Sequence, residues 1–211
     1  MPRDAATLVL LVRHGRTATT GVKLPGRAGR PHLTAEGRRQ ADALAKHLAR
    51  VPGIAAVYAS PLYRARETAA PIARARGLAV RVEPGLTDLD VGEWTGRSLA
   101  QLRRRREWTV IQRHPSGFRF PGGESFANMQ ARVLSALARL VERHAGRAVV
   151  AVSHGDPIKA AVAHALGVPL DLFQRLVVAP ASVSAIAYRR EGPIILTVNT
   201  VHGDLGWLGV P

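Results

Sequence analysis

An α/β fold with a mainly parallel sheet and helices on both faces is predicted from three features of this sequence. Leu8-Val9-Leu10-Leu11-Val12 is apolar without alternation, as expected of a strand buried on both sides. Ile54 to Ala59 and Ala148 to Val152 are further short apolar runs of the same kind. The long segments between them carry helical periodicity, with Ala41, Leu44, Ala45 and Leu48 on one face and Met129, Val133, Leu137 and Leu140 on another.

In chain order, the first strand ends abruptly in Arg13-His14-Gly15, and ligands in such sheets bind at the carboxyl ends of strands. Arg16 to Pro31 is rich in Gly, Pro and Arg and reads as a loop folded over the site. Thr34 caps a helix to Arg50, which Pro52-Gly53 stops. The second strand ends at Ser60, and Ser60-Pro61 starts a helix to about Arg76, with Ser as cap and Arg64 in the first turn, where amides and a guanidinium can face an anion. Leu78 to Val82 reads as a strand, and Glu83 to Gly96 as a turn-rich acidic loop with Asp88, Asp90 and Glu93. A helix from Ser98 to about Trp108 is expected next, then an irregular stretch to Gly123, then a long helix from Ser125 to His144 closed by Gly146. The strand Ala148 to Val152 delivers Ser153-His154-Gly155-Asp156, repeating the logic of the first site. Pro157 opens a helix to Leu166, a short helix spans Leu170 to Leu176, and strands Val183 to Arg189 and Ile194 to Val201 follow. With 211 residues and no internal repeat or linker, the chain reads as a single domain, 1–211.

Composition narrows the chemistry. The chain has no cysteine, which excludes disulfides, thiolate metal sites and cysteine nucleophiles. No stretch approaches a membrane span, and the start reads as a first strand, so a cytoplasmic protein without a membrane partner is expected. The net charge of +15 invites a nucleic-acid reading, but the arginines are scattered, aromatics are few and no nucleic-acid motif is present. The expected partner is a small anionic phosphorylated substrate, with no nucleic acid. His32, His47, His114, His144, His164 and His202 lack metal-ligand spacing and read as surface or satisfied residues.

Two strands ending in His-Gly, a helix with an early arginine and a carboxylate cluster would together suit phosphoryl transfer. A neutral imidazole attacks, arginines neutralise the equatorial oxygens, and an acid protonates the leaving alkoxide. Neighbouring arginines keep the imidazole uncharged and so nucleophilic, without a metal.

Five blocks carry a resemblance: Val12 to Thr17 (VRHGRT), Ser60 to Ala69 (SPLYRARETA), Leu89 to Gly96 (LDVGEWTG), Pro121 to Ser125 (PGGES) and Val152 to Gly155 (VSHG). In this order they closely resemble the phosphoglycerate mutase-like branch of the histidine phosphatase superfamily. Within that branch, Ser153 to Lys159 (SHGDPIK) and Asp171 to Arg175 (DLFQR) are similar to a group of actinobacterial phosphatases or phosphomutases. The resemblance implies a three-layer αβα sandwich, no metal and no cofactor, phosphorylation of His14, a phosphoryl group held by Arg13, Arg64 and His154, and a carboxylate donor on the acidic loop. Gly15 and Gly155 would let backbone amides approach the phosphate. A homodimer also fits the family.

Two positions depart from the family pattern. The usual donor glutamate, four residues before the glycine of the acidic loop, is here Asp88, about one methylene shorter and with a reference pKa of about 3.9 rather than about 4.3. Asp88 is expected still to donate, with the nearby phosphate favouring its protonated form and Glu93 as the fallback. Thr20 stands where an asparagine often contacts the phosphate. The segment between Gly96 and Pro121 is too compact for the cover that mutases of this family tend to carry, so a phosphatase is favoured over a phosphomutase. Among its basic residues Arg97, Arg103 to Arg106, Arg113 and Arg119, some could touch an acidic substrate, although a solvated face suits most.

Rival readings are an aspartate-nucleophile, magnesium-dependent phosphatase, from Asp88-Leu89-Asp90-Val91, and a binding module without turnover. Glu83-Pro84-Gly85 separates the first from the buried strand it needs, and retention of both histidines and both arginines disfavours the second.

Overall fold

The structure, a computed structural model, describes residues 6–201 and 205–208. His202 therefore lies outside the described residues. The first strand, β1, spans Thr7–Arg13 and is buried along its length, with its side chains alternating between two cores. Val9 and Leu11 point to one face, and Leu8, Leu10 and Val12 to the other. This double burial is why the run carries no polar alternation.

The remaining elements are α1 (Ala35–Leu48), β2 (Ile54–Ala59), α2 (Tyr63–Arg74), β3 (Val80–Val82), α3 (Leu99–Leu102), α4 (Arg106–Arg113), α5 (Phe126–Arg143), β4 (Ala148–Ser153), α6 (Gly155–Ala165), β5 (Val183–Arg189) and β6 (Gly192–Thr200). The strands form one sheet in the order β3-β2-β4-β1-β5-β6. The first four are parallel, and β5 and β6 are antiparallel additions at one edge. Helices α1 and α2 cover one face, while α5 and α6 cover the other. The expected αβα sandwich is therefore the fold. Among the described residues, no helix is long and apolar enough to cross a membrane.

Several boundaries shift by one or two residues from the sequence reading, and four differences bear on the site or its surroundings. The helix α2 begins at Tyr63, with apolar Leu62 at the cap position and no side-chain cap bond, while the hydroxyl of Ser60 accepts from the Leu62 amide at 3.3 Å and meets a histidine at 2.8 Å. The strand β3 is only three residues long. The helix expected from Ser98 to Trp108 is broken at Arg103 to Arg105. There Arg105 takes an extended conformation, lies over the Trp94 ring at 5.4 Å and pairs with Glu107. Finally, α6 starts at Gly155 rather than Pro157, which makes His154 its cap residue.

The loop after β1 is locked to the start of α1. Thr34 accepts from the Gly37 amide as the N-cap, and its own amide donates to the Arg16 carbonyl at 2.9 Å. A Cβ on Gly37 would stand 2.1 Å from that carbonyl oxygen, and one on Gly15 would stand 2.6 Å from the Gly37 carbonyl oxygen. Backbone here meets backbone, so neither position has room for a side chain. We expect Gly37→Ala to lower the urea midpoint by an amount equivalent to about 1–3 kcal/mol, the usual cost of overpacking a tight site. An unchanged midpoint would show that the contact yields freely.

Candidate functional site

The site is built where parallel strands end together. Val12 is level with Val152 and Arg13 with Ser153, so Arg13-His14 and Ser153-His154 leave the sheet side by side. The His14 amide donates to the Ser153 carbonyl at 3.0 Å, and the Ser60 amide donates to the Val152 carbonyl at 2.9 Å. The hydroxyl of Ser153 donates to the Leu86 carbonyl at 2.7 Å, drawing in the acidic loop. The ends of β1 and β4, the loop after β1 and the acidic loop line a cavity of about 200 Å³, which Ser60, Arg64 and His154 do not line themselves.

The two imidazoles stand 5.2 Å apart between ring centroids, and both are buried. His14 Nδ1 lies 2.7 Å from the Gly15 carbonyl, which can only accept, so Nδ1 carries the proton and Nε2 keeps the free lone pair. Burial, then the nearby His154 and Arg64, hold the His14 pKa well below the usual histidine value. Burial, then Arg64 and Arg13, do the same for His154. His154 Nε2 shares a hydrogen bond with the Ser60 hydroxyl at 2.8 Å, and its Nδ1 lies 3.5 Å from an Asp88 oxygen.

Of the two cations, Arg64 is fully buried and Arg13 half-buried. Arg64 is 1 % exposed, and its Nη2 donates to Asp88 Oδ2 at 2.7 Å and to the Gly26 carbonyl at 3.0 Å. Arg13 Nη1 donates to the Val178 carbonyl, and burial lowers the pKa of this guanidinium against the opposing pull of Asp88. Among the described residues, five buried side-chain nitrogen or oxygen atoms lack a partner, and three of them are Arg13 Nε, Arg64 Nε and His154 Nδ1. Buried polar groups are normally satisfied. Arg13 lines the cavity, while Arg64 and His154 stand behind it against the cavity-lining Asp88, and three such nitrogens close together suit an anion with several acceptor oxygens.

Arg13, His14, Thr20, Asp88 and Gly155 all line the cavity. Thr20 is turned partly inward, since its hydroxyl accepts from the Thr17 amide at 2.9 Å. Gly15 does not line the cavity. Its amide donates to the Thr68 hydroxyl at 2.9 Å, and its missing side chain serves the contact with Gly37. Glu93 is exposed and does not line the cavity, whereas Asp88 does. None of the arginines from Arg97 to Arg119 lines it either. Arg97 donates to the Glu93 carbonyl and Arg119 to the Gly123 carbonyl.

Sequence reasoning missed Lys23 and Asp156, which also line the cavity. Burial, opposed by Lys159, raises the Asp156 carboxyl pKa. The signal for Asp156 was its place directly after His154-Gly155. For Ser60, it was a polar residue at the end of a buried strand, read only as a cap. Among the described residues, no group of three or more His, Cys, Asp or Glu is placed to hold a metal ion.

The depressed histidines make stability pH-dependent. The folded chain keeps both imidazoles neutral where the unfolded chain protonates them, near a pKa of about 6.5, so the unfolded state binds more protons as pH falls. Stability is then full above that value and declines as pH drops below it. We expect the urea midpoint to fall between about pH 7 and about pH 5, and less steeply in His14→Gln and His154→Gln. Equal slopes in all three proteins would contradict this.

Comparison with known proteins agrees with this geometry. The family model for the histidine phosphatase superfamily (branch 1) matches residues 9–201. Phosphoserine phosphatase 1 of Hydrogenobacter thermophilus is 33% identical over 200 residues, covering 92% of this chain and 93% of that protein. A protein of Enterobacter sp. (strain 638) named "Probable phosphoglycerate mutase GpmB" is 35% identical over 209 residues, covering 96% and 95%. The solved mycobacterial glucosyl-3-phosphoglycerate phosphatase Rv2419c superposes with a TM-score of 0.82 at 27% identity, covering 92% of this chain and 99% of that one. The chain spans about half the length of other curated relatives, such as the bifunctional protein Rv2228c of Mycobacterium tuberculosis, which is 36% identical over 195 residues with 52% of its length covered. Its residue blocks, its sheet order and these matches lead to one conclusion: the chain belongs to the histidine phosphatase superfamily, branch 1.

Proposed function

We propose that this chain is a metal-independent, cytoplasmic phosphatase that hydrolyses a small phosphomonoester through a phosphohistidine on His14. The observation that carries the reading is the set of three unpartnered buried nitrogens, Arg13 Nε on the cavity wall and Arg64 Nε and His154 Nδ1 on the two residues that flank the cavity-lining Asp88. A phosphoryl group has the acceptor oxygens to satisfy them, and guanidiniums bind such groups with charge-assisted hydrogen bonds.

In this reading the phosphate monoanion of the substrate passes its proton to Asp88 as Arg64 turns from that carboxylate to the phosphoryl oxygens, the lone pair of His14 Nε2 attacks phosphorus, the ester P–O bond breaks, and the leaving oxygen takes the proton from Asp88. Water then attacks the phosphohistidine and gives its proton to Asp88. Phosphate leaves, and the imidazole is restored. Arg13 and Arg64 supply the positive charge that a metal ion would otherwise provide, while Thr20 and Gly155 complete the cradle. Arg64 now pairs with Asp88, so an arriving phosphoryl group competes with that carboxylate for the guanidinium. The chain is read as one domain, able to act alone or as a homodimer, with neither nucleic acid nor membrane as partner. A second reading, phosphoglycerate mutase chemistry on the same phosphohistidine, is favoured by the relative that bears that name.

We expect hydrolysis of p-nitrophenyl phosphate to persist in EDTA and to fall to background in His14→Ala. Asp88→Asn should slow an alkyl phosphate by about 10²–10⁴-fold, the usual contribution of a general acid. Conversion of 3-phosphoglycerate to its 2-isomer without net phosphate release would favour the mutase. Activity that survives in His14→Ala would overturn both readings.

A further inference from the structure

Arg132 lies on α5, outside the cavity, yet it reaches the backbone that carries Asp88. Its Nη1 donates to the carbonyls of Gly85 at 2.7 Å and Thr87 at 2.9 Å, and its Nη2 contacts the carbonyl of Asp88 at 3.4 Å. The same guanidinium is gripped by both oxygens of Glu124, through Nε at 3.0 Å and Nη2 at 2.9 Å. Glu124 in turn accepts from Arg27 Nη2 at 2.8 Å and contacts the amide of Asp90 at 3.4 Å. Arg27 Nε closes the circuit by donating to the Asp88 carbonyl at 2.8 Å.

Three carbonyls and one amide between Gly85 and Asp90 are thus held by one interlocked Arg27-Glu124-Arg132 triad. The Glu124 side chain is only 14 % exposed and that of Arg132 23 %, and the two-point pairing between them fixes orientation as well as distance. Removing two charges from water is costly, so such a pair is weak evidence for stability and invites a geometric role. Among the described residues, the carboxylate of Asp88 is itself met only by Arg64, the Leu89 amide and, at 3.5 Å, His154 Nδ1. An aspartate also has one fewer side-chain torsion than a glutamate with which to absorb a backbone shift.

We infer that Arg132 and Glu124 are positioning residues that set the reach of Asp88 toward the leaving oxygen. This rests on the proposed role of Asp88 as proton donor. Neither residue touches the phosphoryl cradle, so losing either should impair proton delivery and spare phosphoryl binding and attack.

Leaving groups of different basicity separate these steps. p-Nitrophenolate departs with little protonation, while phenolate needs the acid more. For Arg132→Lys, which keeps the charge without the fork, we expect kcat/KM for phenyl phosphate to fall by roughly tenfold or more, as for a misplaced catalytic group, and that for p-nitrophenyl phosphate by less than about threefold. Glu124→Gln should show the same pattern, and it carries the test if Arg132→Lys does not fold, as judged by its thermal melt. In an Asp88→Asn background, either substitution should cause no further loss. Equal losses on both substrates, no loss on either, or additive losses in the double variants would overturn the inference. If Asp88→Asn itself shows no leaving-group dependence while the wild-type protein hydrolyses both substrates, the donor role of Asp88 fails and the inference falls with it.

Discussion

The pairing of β1 with β4 is the constraint on which the site depends. In parallel register, Arg13 stands level with Ser153, so each strand releases a histidine at the same height and on the same edge of the sheet. A slip of one residue would send alternate side chains to the opposite core and part the two imidazoles. The register is held by burial on both faces, with β4 fully enclosed and β1 fully enclosed up to Arg13. The apolar monotony of these strands and the geometry of the site are two results of one packing arrangement.

Electrostatics at the strand ends follow from enclosure. Two guanidiniums and two imidazoles are gathered in a buried space, and Asp88 is the carboxylate that pairs directly with Arg64 there. Burial and the arginines keep the imidazoles uncharged, so the positive charge resides on groups that cannot easily lose it. Such a site gains most from a ligand that brings negative charge and several acceptors at once. The surface excess of arginine has a different character, since the run from Arg103 to Arg106 is exposed and breaks a helix rather than lining the cavity.

Much of this was legible in the residues. Strands β1, β2 and β4 could be read because continuous apolar runs have few other uses, and α1 and α5 because Thr34 and Ser125 cap clear amphipathic stripes. His14, His154 and Arg13 could be singled out because each follows a strand end, and Asp88 because it stands at the family's donor position in an acidic loop. The failures share a cause: side chains whose partners are distant in sequence. Ser60 has the local features of a cap and its hydroxyl does accept from the Leu62 amide, but it also meets a histidine 94 residues away. Gly15 had the features of a phosphate loop, but the carbonyl of Gly37 decides its role. Arg132 had those of a solvated helix residue, and only the folded chain brings it beside the carbonyls of Gly85 and Thr87. Asp156 lay inside a recognised motif, yet its place on the cavity wall depends on how α6 begins.

The central claim is that His14 carries the phosphoryl group during turnover, and trapping the intermediate tests it most directly. The protein would be quenched in base within the first turnovers of p-nitrophenyl phosphate, digested, and mapped by mass spectrometry for an acid-labile phosphate. A phosphate on the peptide holding His14, absent in His14→Ala, is the predicted result. Burst release of p-nitrophenol with the label on His154, on Asp88 or on no residue would contradict the account.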